Sequence, residues 1–373
     1  MNYEINDIRK ITDFKGICFS KYQKTKVKKE LINCLISNKV EPACYWCAEL
    51  ICAGHFSDVW DIIILYITKY IHIGNPKIPI YIAKRFESFK EILINGYIDN
   101  ELSLRNNNKI RKIFAEIMCV LCFSRKKNSI EGIKINKKEE FDMINISSKL
   151  EASSIEYGNL VFKKEDPKEL FIAINELSYH LSKKSKNIYS ACYWLEWIIE
   201  YEYVCKKNKD KCICERRTFA PVLEKYQMDS IWIVWDIILY ETEKKKNKLL
   251  TEIIHSLLNI FSIKYTQSVK KRRKFVIYFA ISLLIEKFDI DTKMITNLSE
   301  INKIVSKIHI VYKDVKKNEI SPNTDYLLVN ERKSNLDKTI ERIEKLNNIN
   351  KKISNANNSE NVKINNYEND FDI

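Results

Sequence analysis

The sequence predicts an all-α protein, and three observations lead to this expectation. Only 6 glycines and 6 prolines occur in 373 residues, although the turns between strands depend on these residues. Apolar residues make up 45% of the chain, enough for a sizeable core. They recur at helical spacing in one segment after another. The chain contains neither of the glycine-rich signatures GxGxxG and GxxxxGK[ST], which argues against the Rossmann and P-loop folds.

Four sequence blocks occur in the same order in both halves of the chain, which predicts an internal duplication. We therefore expect two similar helical units, at residues 1–150 and 151–330, followed by a C-terminal segment at 331–373. The paired blocks are KKELINCLI (from Lys28) with KELFIAINEL (Lys168), ACYW (Ala43) with ACYW (Ala191), VWDIIILY (Val59) with VWDIILY (Val234), and RKIFAEIMCVL (Arg111) with RKFVIYFAISLL (Arg273).

Each block has the apolar spacing of a helix, and local signals mark the helix starts. Pro42 precedes the first ACYW segment, as expected of a first-turn proline. We expect Asp58 and Asp229 to cap the helices that follow them. Residues 109–123 form a long apolar helix behind a basic start. The tryptophans of the repeated blocks are predicted to fill equivalent core positions: Trp46, Trp60, Trp194 and Trp235.

The predicted repeat weakens after Leu284. A further helix is expected near residues 298–319, and Ser334 is expected to cap an amphipathic C-terminal helix. From Ser354 onward the chain is rich in asparagine and has no apolar period, so we expect a disordered tail. Its acidic and aromatic end is either a short docking peptide or an unselected tail.

The second half carries an insertion. Trp46 and Trp60 are 14 residues apart, whereas Trp194 and Trp235 are 41 apart. The extra residues, near 205–228, include the basic stretch CKKNKDKCICERR. Because insertions survive best on surface loops, we expect this segment to leave the core.

The formal net charge of +14 is compatible with a polyanionic partner, either nucleic acid or an acidic protein. The run KKRRK beside aromatic residues is the strongest candidate, since cations at a helix start oppose the helix dipole and so need another reason to be there. The alternatives are a nuclear localisation signal, a solvated helix start, or the lysine bias of an AT-rich genome. The predicted phosphate-contacting residues are Lys270, Lys271, Arg272, Arg273 and Lys274, with Lys206, Lys207, Lys211, Arg216 and Arg217 from the insertion.

The 11 cysteines are expected to be free thiols in a reducing compartment, since the N-terminal sequence has no apolar signal region. The CxxC pairs Cys44/Cys47 and Cys119/Cys122 lie on apolar helices and are expected to be buried small hydrophobes. Cys205, Cys212 and Cys214 are a weak candidate for a metal site or a reactive thiolate, because basic residues surround them. No cofactor is predicted.

Two other functional classes are less favoured. An enzyme would use His55, in the loop segment GHFSD, or the cysteines of the insertion, but no catalytic residue is assigned. The apolar stretch IIILYITKYIHI is interrupted by Lys69 and His72 and is too short to span a membrane.

Four longer blocks carry a resemblance: ACYWCAELICAGHF, VWDIIILY, HIGNPKIPIYI and CICERRTFAPVLEKYQMDSIWIVWDIILYE. Over roughly residues 25–330 the chain resembles a helical protein of giant DNA viruses, in the mimivirus-like branch of the nucleocytoplasmic large DNA viruses. The resemblance implies a location in the host cytoplasm, at the viral factory, or in the virion. It carries no catalytic residue over.

The function predicted from these features is non-enzymatic binding of nucleic acid or of an acidic viral protein through the basic runs. The alternative is a scaffold protein of the factory or virion that does not bind nucleic acid. A pair of cyclin boxes, as in some transcription factors, is a third possibility by fold analogy alone. The sequence leaves the oligomeric state open.

Overall fold

The computed structural model describes residues 3–98, 100–137, 139–141, 143–210 and 212–320, together with 339–340 and 342–343. All regular secondary structure in these residues is helical, apart from one isolated bridge between Ile17 and Gln23. The all-α prediction is therefore confirmed. None of the helices in the described part of the chain combines the length and apolar character needed to cross a bilayer.

The α-helices vary in length from one turn to almost six. In chain order they are α1 (Lys24–Ile36), α2 (Val40–Cys52), α3 (Phe56–Tyr66), α4 (Ile78–Ile94), α5 (Asn108–Phe123), α6 (Met143–Ser147), α7 (Glu156–Asn159), α8 (Phe171–Leu181), α9 (Ile188–Asn208), α10 (Ile231–Lys244), α11 (Lys248–Ser262), α12 (Val269–Arg272), α13 (Lys274–Ile285), α14 (Leu298–Ser306) and α15 (Ile308–Lys316). A π-helical turn, Ile67–Ile71, follows α3.

The chain forms two compact units, and neither is a continuous stretch of sequence. The first unit comprises the described parts of Met1–Ile63, Arg85–Ser124 and Ile295–Ile373. Its core is built around α2, which packs against α1, α5 and α15, while α14 packs against α5. Helices α14 and α15 thus belong to the first unit, although the sequence analysis placed residues 298–316 in the second.

The second unit comprises Ile64–Lys84 and Arg125–Met294. Helix α8 packs along α9, and α13 contacts α9, α10 and α11. The π-helical turn also packs on α13. Helices α1 and α2 of the first unit, and α8 and α9 of the second, are the predicted counterparts of the repeat, and each pair is in direct contact. The duplication itself stays a prediction.

The four tryptophans of the repeated blocks are buried, as expected. Trp60 lies against Phe86, Phe89 and Phe114, with ring centroids 5.0–5.6 Å apart. Trp235 lies 5.6 Å from Phe261, and the two rings are tilted like those of Trp60 and Phe114. Burial of an indole ring removes roughly 200 Å² from water, which stabilises the fold by up to about 5 kcal/mol. These rings are therefore major contributors to the core of each unit.

Asparagine, rather than aspartate, caps three of the described α-helices. The side chains of Asn107, Asn187 and Asn247 accept hydrogen bonds from backbone N–H groups in the first turns of α5, α9 and α11. The predicted cap at Asp58 was wrong, because α3 begins before it and its carboxylate pairs with Lys24 and Lys28. Asp229 lies just before α10 and accepts a 3.4 Å hydrogen bond from the N–H of Ile231, but Tyr265 and Lys270 bond its carboxylate more closely.

The insertion does not leave the core as expected. Its first residues extend α9 to Asn208, and Cys205, Cys214, Arg217 and Ala220 are buried. The predicted helix capped by Ser334 and the predicted disordered tail from Ser354 lie outside the described residues, except for 339–340 and 342–343.

Candidate functional site

The run KKRRK spans α12 and the start of α13, where its lysines meet carboxylates of α9. The Nζ of Lys271 lies 2.8 Å from Oε1 of Glu200, and that of Lys274 lies 2.9 Å from Oε1 of Glu196. Lys270 forms an ion pair with Glu202 of the same helix. We call this set of contacts the α9 charge ladder. The acidic groups that pair with these lysines therefore lie within the protein itself, whereas the sequence predicted that they belong to a partner.

Lys270 is the most deeply placed member of the ladder. Its side chain is 8% exposed, and its ammonium group also contacts Asp229 at 2.7 Å. Burial acts to lower the pKa of Lys270, but the carboxylates of Asp229 and Glu202 outweigh it and raise the pKa. The prediction that Lys270 contacts phosphate is therefore not supported, because the charge is already neutralised in the interior.

Arg273 also has a structural position. It is buried, and its guanidinium donates to the carbonyl oxygens of Phe261 (3.0 Å) and Ile263 at the end of α11. These carbonyls have no partner within their own helix. Arg273 thus closes α11 and is not available for phosphate contact. Arg272 is exposed.

The α9 carboxylates are themselves fully engaged. Glu196 accepts a 2.5 Å hydrogen bond from Tyr278, and Glu200 pairs with Lys137 at 2.7 Å. Burial would raise the pKa of Glu200, but hydrogen bonds from Lys137 and Lys271 outweigh it and hold that pKa below its usual value. The ladder thus offsets the unfavourable effect of a positive run at a helix start.

The insertion is anchored by one buried ion-pair cluster. Arg217 donates to both carboxylate oxygens of Asp166, at 2.9 and 2.7 Å, and to Asp236 at 3.2 Å. A further bond reaches the carbonyl of Val161 at 2.9 Å. Burial acts to lower the pKa of Arg217, but Asp166 and Asp236 raise it overall. The structure therefore places Arg217 away from solvent, where its guanidinium is 1% exposed and all of its hydrogen bonds are made within the protein.

The other predicted cations of the insertion lie on its surface. Lys206 and Lys207 are exposed in the last turn of α9, where a positive charge interacts favourably with the helix dipole. Arg216 is exposed and contacts Gln227 at 2.6 Å and Glu224 at 2.8 Å. Lys211 lies outside the described residues.

Large apolar side chains accompany these cations. Ile213, Leu223 and Met228 are 54%, 67% and 39% exposed. The backbone N–H of Cys214 donates a hydrogen bond to the carbonyl of Met228, and that of Arg217 donates to the carbonyl of Gln227. These bonds hold the two ends of this loop together. We call the exposed residues of this segment the insertion surface: Lys206, Lys207, Ile213, Arg216, Leu223 and Met228. Sequence analysis identified its charges but missed its apolar residues.

Burial raises the pKa of two cysteines of the insertion, Cys212 and Cys214, which favours the protonated thiol at both positions. Cys205 and Cys214 are buried, and Cys212 is half-buried. Burial, with Glu202 and Cys205 nearby, raises the pKa of Cys212 to about 12. The expectation that basic neighbours would favour the thiolate is wrong, because burial and the facing carboxylate dominate. Within the described ranges, no group of three His, Cys, Asp or Glu side chains is arranged to hold a metal ion.

The two CxxC pairs come together in the first unit, between α2 and α5. The thiols of Cys44 and Cys119 share a hydrogen bond, and all four cysteines are buried. This hydrogen bond and burial raise the pKa of Cys44 well above the ordinary value. The pairs thus pack as small hydrophobic side chains, as expected.

The histidine considered for catalysis is tied to the backbone. Nε2 of His55 lies 2.7 Å from the carbonyl oxygen of Ile17, and Nδ1 lies 3.9 Å from Asp58. Burial lowers the pKa of His55. In the second unit, His72 stacks on Phe279 at 4.8 Å, and burial with nearby Lys127 lowers its pKa to about 3. The contacts of both imidazole rings are thus with groups that belong to the packing of the fold.

Comparison with known proteins adds no further assignment. No protein-family model matches the chain, and neither the curated proteins nor the solved structures include a match.

Proposed function

We propose that this protein is a non-enzymatic interaction protein that binds an acidic protein partner through the insertion surface. One observation carries the proposal: the insertion, which Arg217 anchors, has both exposed cations and exposed aliphatic side chains. Exposed apolar groups with a charged rim are typical of protein interfaces. The buried anchor holds the segment in one conformation, which lowers the entropic cost of binding.

An acidic protein fits this surface better than a nucleic acid does. Ile213 and Leu223 have no use in contacting a phosphate backbone, but they supply apolar area to a protein partner. In addition, the KKRRK run, the strongest candidate for phosphate contact in the sequence, is engaged by the α9 charge ladder.

A binding comparison with defined probes tests the proposal. The probes are a peptide of alternating Glu and Phe residues, a poly-glutamate of equal charge, and a mixed-sequence DNA duplex, at about 50 and about 200 mM salt. We expect the Glu–Phe peptide to bind more tightly than either purely anionic probe. Its affinity should keep an apolar component at the higher salt concentration, because salt screens only the charges.

Two double variants localise the binding. Lys206→Glu/Lys207→Glu and Ile213→Ser/Leu223→Ser should each weaken peptide binding by about tenfold or more. The matched control is Lys183→Glu/Lys186→Glu, which reverses two exposed charges of the same unit outside the insertion. Equal effects of the insertion and control variants would contradict the proposal. Tighter binding of the DNA duplex would favour the nucleic-acid alternative instead.

The viral location implied by the resemblance is a separate proposal. We propose that the protein resides in the viral factory of the host cytoplasm or in the virion, where an assembly partner would be found. Mass spectrometry of purified particles and of factory fractions tests this. Absence from both fractions would contradict the location without affecting the proposed binding surface.

A further inference from the structure

The first unit contains a cavity of about 570 Å³ between its N-terminal segment and the 3₁₀ turn Glu101–Asn106. Ile5, Ile11 and Leu102 give one part of the lining an apolar character. Lys10 and Arg105 are among the polar lining residues. The volume is that of a small-molecule site, and most of the lining residues are polar or charged, which suits a polar ligand with a small apolar part.

Arg105 is a buried cation with few hydrogen bonds. It is 6% exposed, and its guanidinium has two acceptors, the carbonyl oxygens of Cys52 at 3.3 Å and Asp7 at 3.1 Å. Among the described residues no ion pair includes Arg105, although the carboxylates of Asp7 and Glu319 are near enough to attract it. Burial has the largest effect on this guanidinium and lowers the pKa of Arg105. A guanidinium can donate five hydrogen bonds, so donor capacity remains at the cavity.

Two other buried arginines, Arg217 and Arg111, are better satisfied. Arg217 makes five hydrogen bonds, which include both oxygens of Asp166. Arg111 donates to the carbonyls of Arg105 and Tyr3 and to Asn106, and its guanidinium stacks on Tyr312. Arg105 therefore differs from them in being buried, poorly paired and at a cavity wall.

The charges around the cavity favour an anion. Arg9 is neutralised by Asp7, whose oxygens accept at 2.8 and 2.6 Å. The remaining charged lining residues are Lys10, Glu101 and Arg105. Because one of the two cations is nearly dry, its attraction for an anion is screened less than that of an exposed residue.

We propose that this cavity binds a small organic anion, in which a carboxylate or phosphate group is carried by an apolar body. The anionic group pairs with Arg105 and Lys10, and the apolar body contacts Ile5, Ile11 and Leu102. This site is independent of the insertion surface, which belongs to the other unit.

Saturation-transfer NMR with benzoate, phenyl phosphate and neutral benzamide, at constant ionic strength, tests the proposal. We expect at least one of the two anions to bind with a dissociation constant in the millimolar range or below, and benzamide to bind more weakly by about tenfold or more. The preferred anion identifies the ligand as a carboxylate or a phosphate. No binding of either anion at about 10 mM, or equal binding of benzamide, would overturn the proposal.

Variants link the binding to the cavity. Arg105→Lys keeps the charge but loses the planar fork, and should weaken anion binding by about tenfold. Lys10→Gln, at an exposed position, should weaken it about threefold without affecting folding. The matched control Lys15→Gln removes an exposed lysine outside the cavity and should change nothing. Anion binding that survives both Arg105→Lys and Lys10→Gln unchanged would show that this cavity is not the site.

Discussion

Basic residues lie at the start of the last helix of the predicted repeat in both units, within α5 in the first and in α12 and the start of α13 in the second, but the two starts are stabilised differently. In both, an arginine of the repeated block is buried and donates to backbone carbonyls: Arg111 to Arg105 and Tyr3, and Arg273 to Phe261 and Ile263. In the second unit alone, the neighbouring lysines also form the α9 charge ladder.

The facing helix explains the difference. In the first unit, α2 offers the thiol of Cys44 to α5, and its buried Glu49 accepts bonds from Ser20 and Tyr45 instead. In the second unit, α9 offers Glu196, Glu200 and Glu202. The comparison teaches that a run of positive charge in a sequence marks a binding surface only when no internal helix carries the matching carboxylates.

The largest effect is expected from removal of the buried cation of the ladder. Lys270→Met keeps most of the side-chain volume but leaves Glu202 and Asp229 buried without their cation. The free energy of unfolding should fall by about 3–5 kcal/mol. Urea unfolding followed by tryptophan fluorescence measures it. Lys271→Met, whose side chain is 60% exposed, is the matched control and should cost about 1 kcal/mol or less. Equal losses in the two variants would contradict the distinction between buried and exposed ladder positions.

The corresponding change in the first unit should have a smaller effect. Arg111→Met removes three hydrogen bonds and the contact with Tyr312 but strands no buried carboxylate. We expect a loss of about 2–3 kcal/mol in the same urea experiment. Lys112→Met, at the exposed neighbouring position, should change stability by less than about 0.5 kcal/mol. A loss for Arg111→Met as large as that for Lys270→Met would remove the contrast between the units.

The two units also differ in how far a buried histidine is removed from solvent, and the pKa of His72 in the second unit is strongly lowered. The pKa of His72 is lowered from 6.5 to about 3, so the unfolded chain binds more protons than the folded one below pH 6.5. Stability should therefore fall as the pH decreases from 6.5 towards 3, by up to about 1.4 kcal/mol per pH unit.

The contribution of His72 is the difference in the slope of stability against pH, between pH 6 and about 4.5, of the wild type and a His72 variant. The difference is needed because burial also raises the pKa of Glu49 and Glu202. The His72→Gln variant should lose the slope contributed by His72, whatever its absolute stability. Parallel curves for the wild type and His72→Gln would show that His72 is not the source. His55→Gln is the comparison in the first unit and should alter the slope less, because its ring is less buried.

The smallest effect concerns the thiols between α2 and α5. If Cys44 is a small hydrophobic side chain, Cys44→Ala should cost about 1 kcal/mol, as should Cys192→Ala at the predicted counterpart in α9. Treatment with a metal chelator should change the melting temperature of neither variant. Stoichiometric zinc in the purified protein, lost in Cys44→Ala but not in Cys192→Ala, would contradict this interpretation.

The sequence predicted well where a residue's neighbours along the chain determine its environment. Helical spacing placed α1, α2, α5 and the four tryptophans, because an apolar stripe must be buried wherever the helix packs. It failed where the environment depends on distant segments. Asp229 was assigned to a helix start but pairs with Lys270, 41 residues later, and Arg217 was assigned to the surface but is enclosed by Asp166 and Asp236.

The sequence by itself determined the helical class, the burial of the tryptophans and the excess of positive charge. Only the tertiary structure decided which of those charges face solvent, since a lysine is neutralised or free according to the helix that packs against it. It also placed Arg105 beside a cavity and brought Cys44 to Cys119. The physical reason is that periodicity is a local property of the chain, whereas the energy of a charge depends on the groups and the solvent within a few ångströms of it in space.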